Sequence, residues 1–343
     1  MLLSEFDYHL PKELIAQYPL PEREKCRLMV LERAGRTIAD KHFEDIVGYF
    51  GKGDLMILND TKVMPARLFG KKRSGGKVEI FLIEKKDPVS EALVRPSARL
   101  KDGERITLES GDEVEVLGRG EVGRFVKFAR PVEEVLKDAG HIPLPPYIAR
   151  RDELSDRDTY QTIYGVKEGA TASPTAGLHF TREILARLAV NGVRLAYVTL
   201  HTNYGTFAPV KTAEVEDHKM HREFFELPVD TIAAIRETKK SGGKVFAVGT
   251  TSTRVLESCA EAIRTTSDGR RTTNISGYTD MYIYPGYKFK VVDHLITNFH
   301  MPKSTLMILI SAFAGLDFIK EAYARAIAEK YRFFSYGDAM LIL

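Results

Sequence analysis

Residues that suit chemistry better than packing are densest in one stretch of this chain. The apolar run Val291-Val292-Asp293-His294-Leu295-Ile296 gives way to Thr297-Asn298-Phe299-His300-Met301-Pro302-Lys303-Ser304-Thr305, and an apolar helix, Leu306–Ala314, follows directly. The first part reads as a strand entering a core. A strand-to-helix corner carries free backbone N–H groups that suit an anion or a polar substrate. Capping by Ser304 or Thr305, with Pro302 setting the helix entry, explains one such residue. It leaves Asn298, His300 and Lys303 without a packing role.

Four more strand ends or corners share this character: Asn59-Asp60-Thr61, Ser173–His179, Leu200–Phe207 and Gly249-Thr250-Thr251-Ser252. In parallel α/β folds the carboxyl ends of strands converge on one mouth, so the five together predict one composite pocket. His179 follows a Thr-Ala-Gly turn; it is either a proton relay with a pKa near 6.5 or a histidine hydrogen-bonded at a helix start. His218 and His221 have an i, i+3 spacing that suits a metal. No second pair or cysteine set accompanies them, so a solvated or substrate-facing histidine is favoured and no metal is expected. Gly249–Ser252 lacks the Lys-Ser/Thr ending of a phosphate loop, which argues against a nucleoside triphosphate site. Neither Gly-x-Ser-x-Gly nor His-Glu-x-x-His occurs, which argues against serine hydrolases and zinc proteases of those types. The rings of Tyr331–Asp338 could stack a base, although most suit a core.

The elements that must hold these corners alternate. A helix from Thr181 places Ile184, Leu185 and Leu188 on one face and stops at Asn191-Gly192. Strand Val193–His201, helix Asp230–Lys240, strand Val245–Val248, helix Arg254–Arg264 and helix Asp317–Tyr331 follow. Such alternation predicts a largely parallel sheet or incomplete barrel with helices outside. Residues 1–64 join it through the apolar strand Asp54–Asn59. The stretch 65–150 differs, with strand-like runs Lys77–Glu84, Arg105–Leu108, Glu113–Leu117 and Gly123–Ala129 split by turn residues. It predicts a small antiparallel barrel closed by the stiff return Ile142–Tyr147. The expected fold is therefore α/β: a barrel-like α/β main domain of residues 1–64 plus 151–343, with an inserted β-barrel domain at 65–150.

At 343 residues, one large domain or two is expected. Cys26 and Cys259 lie far apart, which suits a reducing compartment and no disulfide framework. The N-terminus has neither a basic region nor a long apolar run, and Leu306–Ala314 is far short of the ~20 residues that span a bilayer. A cytoplasmic protein is expected. The net charge of +3 is mild for a nucleic-acid binder. Its distribution says more: residues 65–150 hold 17 Lys+Arg against 14 Asp+Glu, and the remainder 33 against 33. A polyanion partner is compatible with that surplus, not demanded by it.

Several blocks carry a family resemblance: Asn59–Leu68, Pro174–Thr181, Asp217–His221, Val248–Ser252, Tyr284-Pro285-Gly286-Tyr287, Thr297–Thr305 and Tyr331–Met340. In order and over nearly the full length, the chain resembles the S-adenosylmethionine:tRNA ribosyltransferase-isomerases of queuosine synthesis. Two places depart. Ala170-Thr171-Ala172-Ser173 stands where the family has a Val-Ala-Ala-like lead, and Thr202-Asn203-Tyr204-Gly205-Thr206-Phe207 stands for a Val-Gly-x-Gly-Thr-Phe run. The lost first glycine bears on how closely a ligand approaches that loop.

The resemblance implies an α/β barrel with an inserted β-barrel. The implied enzyme moves the ribosyl part of S-adenosylmethionine onto 7-aminomethyl-7-deazaguanine at the tRNA wobble position. Epoxyqueuosine forms, and adenine and methionine leave. S-adenosylmethionine is then a consumed co-substrate, tRNA the partner, and no metal or membrane is implied; a monomer is expected.

With that substrate, His179 or His300 would transfer protons, and Asp60 or Asp338 would orient one of them or bind ribose hydroxyls. Thr250, Thr251, Asn298 and Ser304 would fix the nucleoside, with Thr175 and Gly177 completing its contacts. Arg67, Arg254, Lys303 and Arg332 would hold the methionine carboxylate or tRNA phosphates. Two rivals stand beside this reading. A methyltransferase using the same donor would release S-adenosylhomocysteine, and an RNA-binding module would consume no donor. Convergent polar corners in a large α/β domain are more than a binding platform requires.

Overall fold

Alternating burial along the strands decides how the layers stack. The computed structural model describes residues 1–203, 210–265 and 273–343. Strand Leu55–Asn59 is buried along its whole length and turns Leu55 and Ile57 into one core cluster, Met56 and Leu58 into the other. This is the two-residue period of a strand covered on both faces. Helices Val229–Lys240, Gly249–Ser258, Thr305–Ala314 and Leu316–Ala328 bury apolar side chains in the first cluster. Helix Arg182–Val190 contributes Ile184 and Leu188 to the second, where the turn Phe43–Tyr49 joins it.

Among the described residues the main sheet has nine strands. At its centre Arg194–Leu200, Leu55–Asn59, Val245–Val248 and His294–Asn298 lie side by side and parallel. Beyond Arg194–Leu200, Glu223–Leu227 and Ile275–Thr279 are antiparallel. Beyond His294–Asn298 come Ala339–Ile342, Arg27–Glu32 and the edge strand Thr37–His42. The sheet is thus mixed: parallel at the centre and again between Arg27–Glu32 and Ala339–Ile342, antiparallel at the other outer pairs. Outer strands such as Arg27–Glu32 and Thr37–His42 are joined by a hairpin, which forces antiparallel pairing, whereas helical crossovers connect the inner ones. The sheet is open, running from the edge strand Ile275–Thr279 to the edge strand Thr37–His42.

The smaller barrel does close. Its strands follow the order Arg124–Phe128, Val89–Arg95, Lys77–Leu82, Arg67–Lys72, Glu104–Leu108, Glu113–Arg119. Leu68, Ile80, Ile106, Val114 and Val126 fill the interior, and helix Val132–Ala139 adds Val135 and Leu136 to the same core. Closure removes the exposed edges that a small open sheet would present.

One helix begins elsewhere than expected. The reading Arg254–Arg264 is replaced by Gly249–Ser258, followed by a break at Cys259 and a short helix Ala260–Thr265. No helix among the described residues is long and apolar enough to cross a membrane.

Candidate active site

Parallel pairing places the corners together. Val248 is in register with Ile296, so the chain leaving one strand at Gly249 lies beside the chain leaving the next at Asn298. Strand Arg194–Leu200 delivers Thr202 from the other side, and the turn Thr175–His179 packs across the mouth. The resulting pocket is lined by Ser173–Ala176, Thr202, Gly249–Thr251, Thr297–Met301, Ser304 and Leu306. Phe334 and Ser335 close it, together with Tyr147 from the stiff return after the small barrel.

Six residues singled out in the sequence meet here: Thr175, Thr250, Thr251, Asn298, His300 and Ser304. Three polar atoms of this lining, Ser173 Oγ, Thr251 Oγ1 and Asn298 Oδ1, are buried without a hydrogen-bond partner in the protein. Such an atom costs about 1–3 kcal/mol when left unpaired, so three in one pocket point to a ligand that pairs them.

His300 is held from every side. Its backbone N–H donates to Tyr323 Oη at 2.8 Å, and Tyr8 Oη donates to its carbonyl oxygen. Its Nε2 lies 2.6 Å from Thr297 Oγ1. Burial pushes its pKa down to about 3, so the imidazole is neutral at pH 7. Lys303, in the left-handed region at φ 54°, completes the turn; its N–H donates to Phe6 O at 3.0 Å and its ammonium pairs with Asp7 at 2.5 Å. Ser304 caps the following helix by accepting from Met307 N at 3.1 Å, while its own hydroxyl donates to Met301 O.

His179 lies one layer behind the pocket. Nδ1 is 3.1 Å from Cys26 Sγ and Nε2 is 3.1 Å from Asn298 Nδ2. Burial, with Arg23 and Arg332 nearby, pushes its pKa down to about 3 although the Asn298 contact opposes this. Burial also raises the Cys26 thiol well above its ordinary value, so it stays protonated.

The remaining candidates are placed outside the lining. The corner Asn59–Thr61 turns away: Asn59 bonds the backbone of Leu200, and Thr61–Val63 pairs with Lys167–Ala170 in a separate two-stranded sheet. Asp60 accepts from Thr199 Oγ1 at 2.7 Å, and burial raises its pKa. Asp338 accepts the backbone N–H groups of Arg27 and Arg332 at 2.9 and 2.7 Å, and burial raises its pKa too. Arg254 forms a buried ion pair with Glu223 and donates to Met281 O. Arg67 pairs with Glu79 on the outer face of the small barrel, and Arg332 donates to Tyr18 O. Gly177 serves close packing, since a Cβ there would sit 2.0 Å from Tyr164 Oη. His218 stacks edge-on against Tyr282.

Sequence reasoning gave no individual role to Ser173, Thr202, Thr297, Tyr147 or Ser335, and left the ring of Phe334 between base stacking and core. Ser173 and Thr202 fell within the corners it marked. Tyr147 Oη and Ser335 Oγ meet at 2.6 Å across 188 positions, a pairing no local pattern reveals. The departure at Tyr204–Phe207 lies outside the described residues.

Comparison with known proteins agrees along the whole chain. The family model described as "Queuosine biosynthesis protein" matches residues 3–342. Proteins named S-adenosylmethionine:tRNA ribosyltransferase-isomerase from Sulfurihydrogenibium sp. and Halothermothrix orenii are each 49% identical, with both chains covered completely. The protein of that name from Thermotoga maritima is 47% identical, again over 100% of both chains. A crystal structure of S-adenosylmethionine tRNA ribosyltransferase from Thermotoga maritima superposes with a TM-score of 0.57 at 38% identity, covering 99% of this chain and 100% of that one. With a match that starts at residue 3 and ends at residue 342, the chain belongs to the queuosine biosynthesis family of S-adenosylmethionine:tRNA ribosyltransferase-isomerases.

Proposed function

We propose that this enzyme transfers and isomerises the ribosyl moiety of S-adenosylmethionine onto 7-aminomethyl-7-deazaguanine at the tRNA wobble position, giving epoxyqueuosine, adenine and methionine. The observation that carries the reading is the trio Ser173 Oγ, Thr251 Oγ1 and Asn298 Oδ1, unpaired around a pocket that also contains a neutral, buried His300. A nucleoside sulfonium offers the hydroxyl and amine groups that would pair them.

The sulfonium acidifies the adjacent ribose C5′ protons, which lowers the basicity the proton acceptor must have. His300 is assigned that role, with Thr297 fixing its ring and Tyr8 and Tyr323 fixing its backbone. Thr175, Thr250 and Thr251 hold the nucleoside and methionine portions at the first turn of Gly249–Ser258, where free N–H groups suit a carboxylate. Tyr147, Phe299 and Phe334 form walls that exclude water from reactive intermediates. Asp60, Asp338, Arg254 and Gly177 keep structural partners and are left out of the catalytic set.

Incubation with labelled S-adenosylmethionine and tRNA carrying the 7-aminomethyl base tests the reading. Adenine and methionine should appear together, in step with modified tRNA. S-adenosylhomocysteine as the product would mean methyl transfer, and an unconsumed donor would mean a binding module. His300→Ala should lower kcat by about 10²–10⁴-fold with little change in KM.

A further inference from the structure

The Asn298 amide is oriented by what surrounds it. Its Nδ2 lies 3.0 Å from the carbonyl oxygen of Phe334, which can only accept, so the nitrogen must occupy that side. The same nitrogen lies 3.1 Å from His179 Nε2, so Nε2 accepts as well and the ring proton sits on Nδ1, toward Cys26 Sγ. Both amide hydrogens are then engaged behind the pocket. The other end of the amide, Oδ1, is buried and unpaired, and Asn298 lines the cavity. Turning the amide over would break two hydrogen bonds and set oxygen against oxygen at Phe334. His179 is not among the residues lining that cavity; it faces a separate small cavity beside Arg23, Cys26 and Tyr336.

We infer that His179 is a positioning residue: with the Phe334 carbonyl it fixes the Asn298 amide so that Oδ1 is an obligate acceptor for an N–H or O–H group of the nucleoside. An acceptor locked in this way favours a nucleoside that brings a donor and rejects an analogue lacking it. The neutral imidazole is essential, because a protonated ring would turn an N–H toward the Asn298 N–H. Burial and the cations Arg23 and Arg332 keep it neutral. The inference rests on the nucleoside sulfonium reading above, and its donor is either the exocyclic amine of the purine or a ribose hydroxyl.

Steady-state kinetics of the full-length enzyme separate this role from proton transfer. His179→Ala should raise KM for S-adenosylmethionine by about tenfold, the value of one well-placed hydrogen bond, with a much smaller change in kcat and the same pH limbs. His179→Gln, whose carbonyl oxygen can accept from Asn298, should recover most of that loss. Asn298→Ala should raise KM similarly, and adding His179→Ala to it should do little more. Nucleoside sulfonium analogues lacking the exocyclic amine or one ribose hydroxyl identify the donor. The analogue that wild type and Asn298→Ala bind equally is the one that lacks it.

Equal kcat losses in His179→Ala and His179→Gln, with a pH limb removed, would overturn the inference by making His179 a proton carrier. So would additive effects in the double variant, or an Asn298→Ala that binds every sulfonium as wild type does. If His179→Ala does not fold, His179→Gln compared with Asn298→Ala carries the same contrast. A wild-type enzyme that released no adenine or methionine would fail the proposed function instead, and calorimetric binding of the sulfonium to wild type and Asn298→Ala would still decide the Asn298 role.

Discussion

A buried neutral imidazole makes acid a denaturant. Burial pushes His300 down to about 3, whereas an unfolded histidine titrates near 6.5. As pH falls below 6.5 the unfolded chain binds a proton that the native state refuses, so stability falls until the native group titrates. Between pH 7 and 5 the loss is about 2 kcal/mol for one such histidine. His300→Gln should therefore lose less stability than wild type over that interval by about this amount, read by urea unfolding at the two pH values. Gly177 makes a second point at this scale. Gly177→Ala would drive a Cβ to 2.0 Å from Tyr164 Oη and 2.8 Å from Thr162 Cγ2, costing about 2 kcal/mol by overpacking. Thermal unfolding should register that cost, and Tyr164→Phe should relieve part of it. Gly177 and Arg254 both looked like ligand contacts in the sequence. A glycine in a polar corner, or a cation after one, reads the same whether it meets a substrate or a distant partner. Here the partners are Tyr164 and Glu223, and only the folded chain brings them near.

Among the elements, helix Gly249–Ser258 shows why part of the site was hidden. It opens on Thr250-Thr251-Ser252-Thr253, residues that favour loops and strands over helix interiors. Tertiary burial overrides that preference, since every residue from Gly249 to Glu257 is buried. Ser252 and Thr253 donate back to Val248 O at 2.8 Å and Gly249 O at 3.1 Å, while Thr251 Oγ1 has no such outlet. Thr251→Val keeps the shape and removes the unpaired hydroxyl. It should raise KM for S-adenosylmethionine several-fold while leaving the melting temperature equal or higher. A lower melting temperature with unchanged KM would mean that the hydroxyl serves the fold. The small barrel was legible in four of its six strands, where turn glycines bracket apolar alternation. Arg67–Lys72, half of it basic, and Val89–Arg95, interrupted by Ser90 and Glu91, carry too weak a period to be read.

At the scale of the whole molecule, the barrel carries the positive surplus of the chain. Lys71, Lys77, Arg95 and Arg151 border a groove of about 870 Å³ beside Phe69, with Glu79 and Glu109 in the same wall. Phosphate contacts there would make RNA affinity fall steeply with salt. Lys77→Glu combined with Arg95→Glu should weaken tRNA binding and flatten its salt dependence by a slope of about 2, with KM for S-adenosylmethionine unchanged. An unaltered slope would place the RNA elsewhere.

The strand Ala339–Ile342 occupies an interior lane of the large sheet, bonded to His294–Asn298 on one side and Arg27–Glu32 on the other. Until the ribosome releases that segment, both flanking strands show bare backbone, the kind of surface on which nascent chains stick to one another. A stop codon just ahead of Ala339 therefore yields an aggregation-prone polypeptide and not a slightly shortened enzyme.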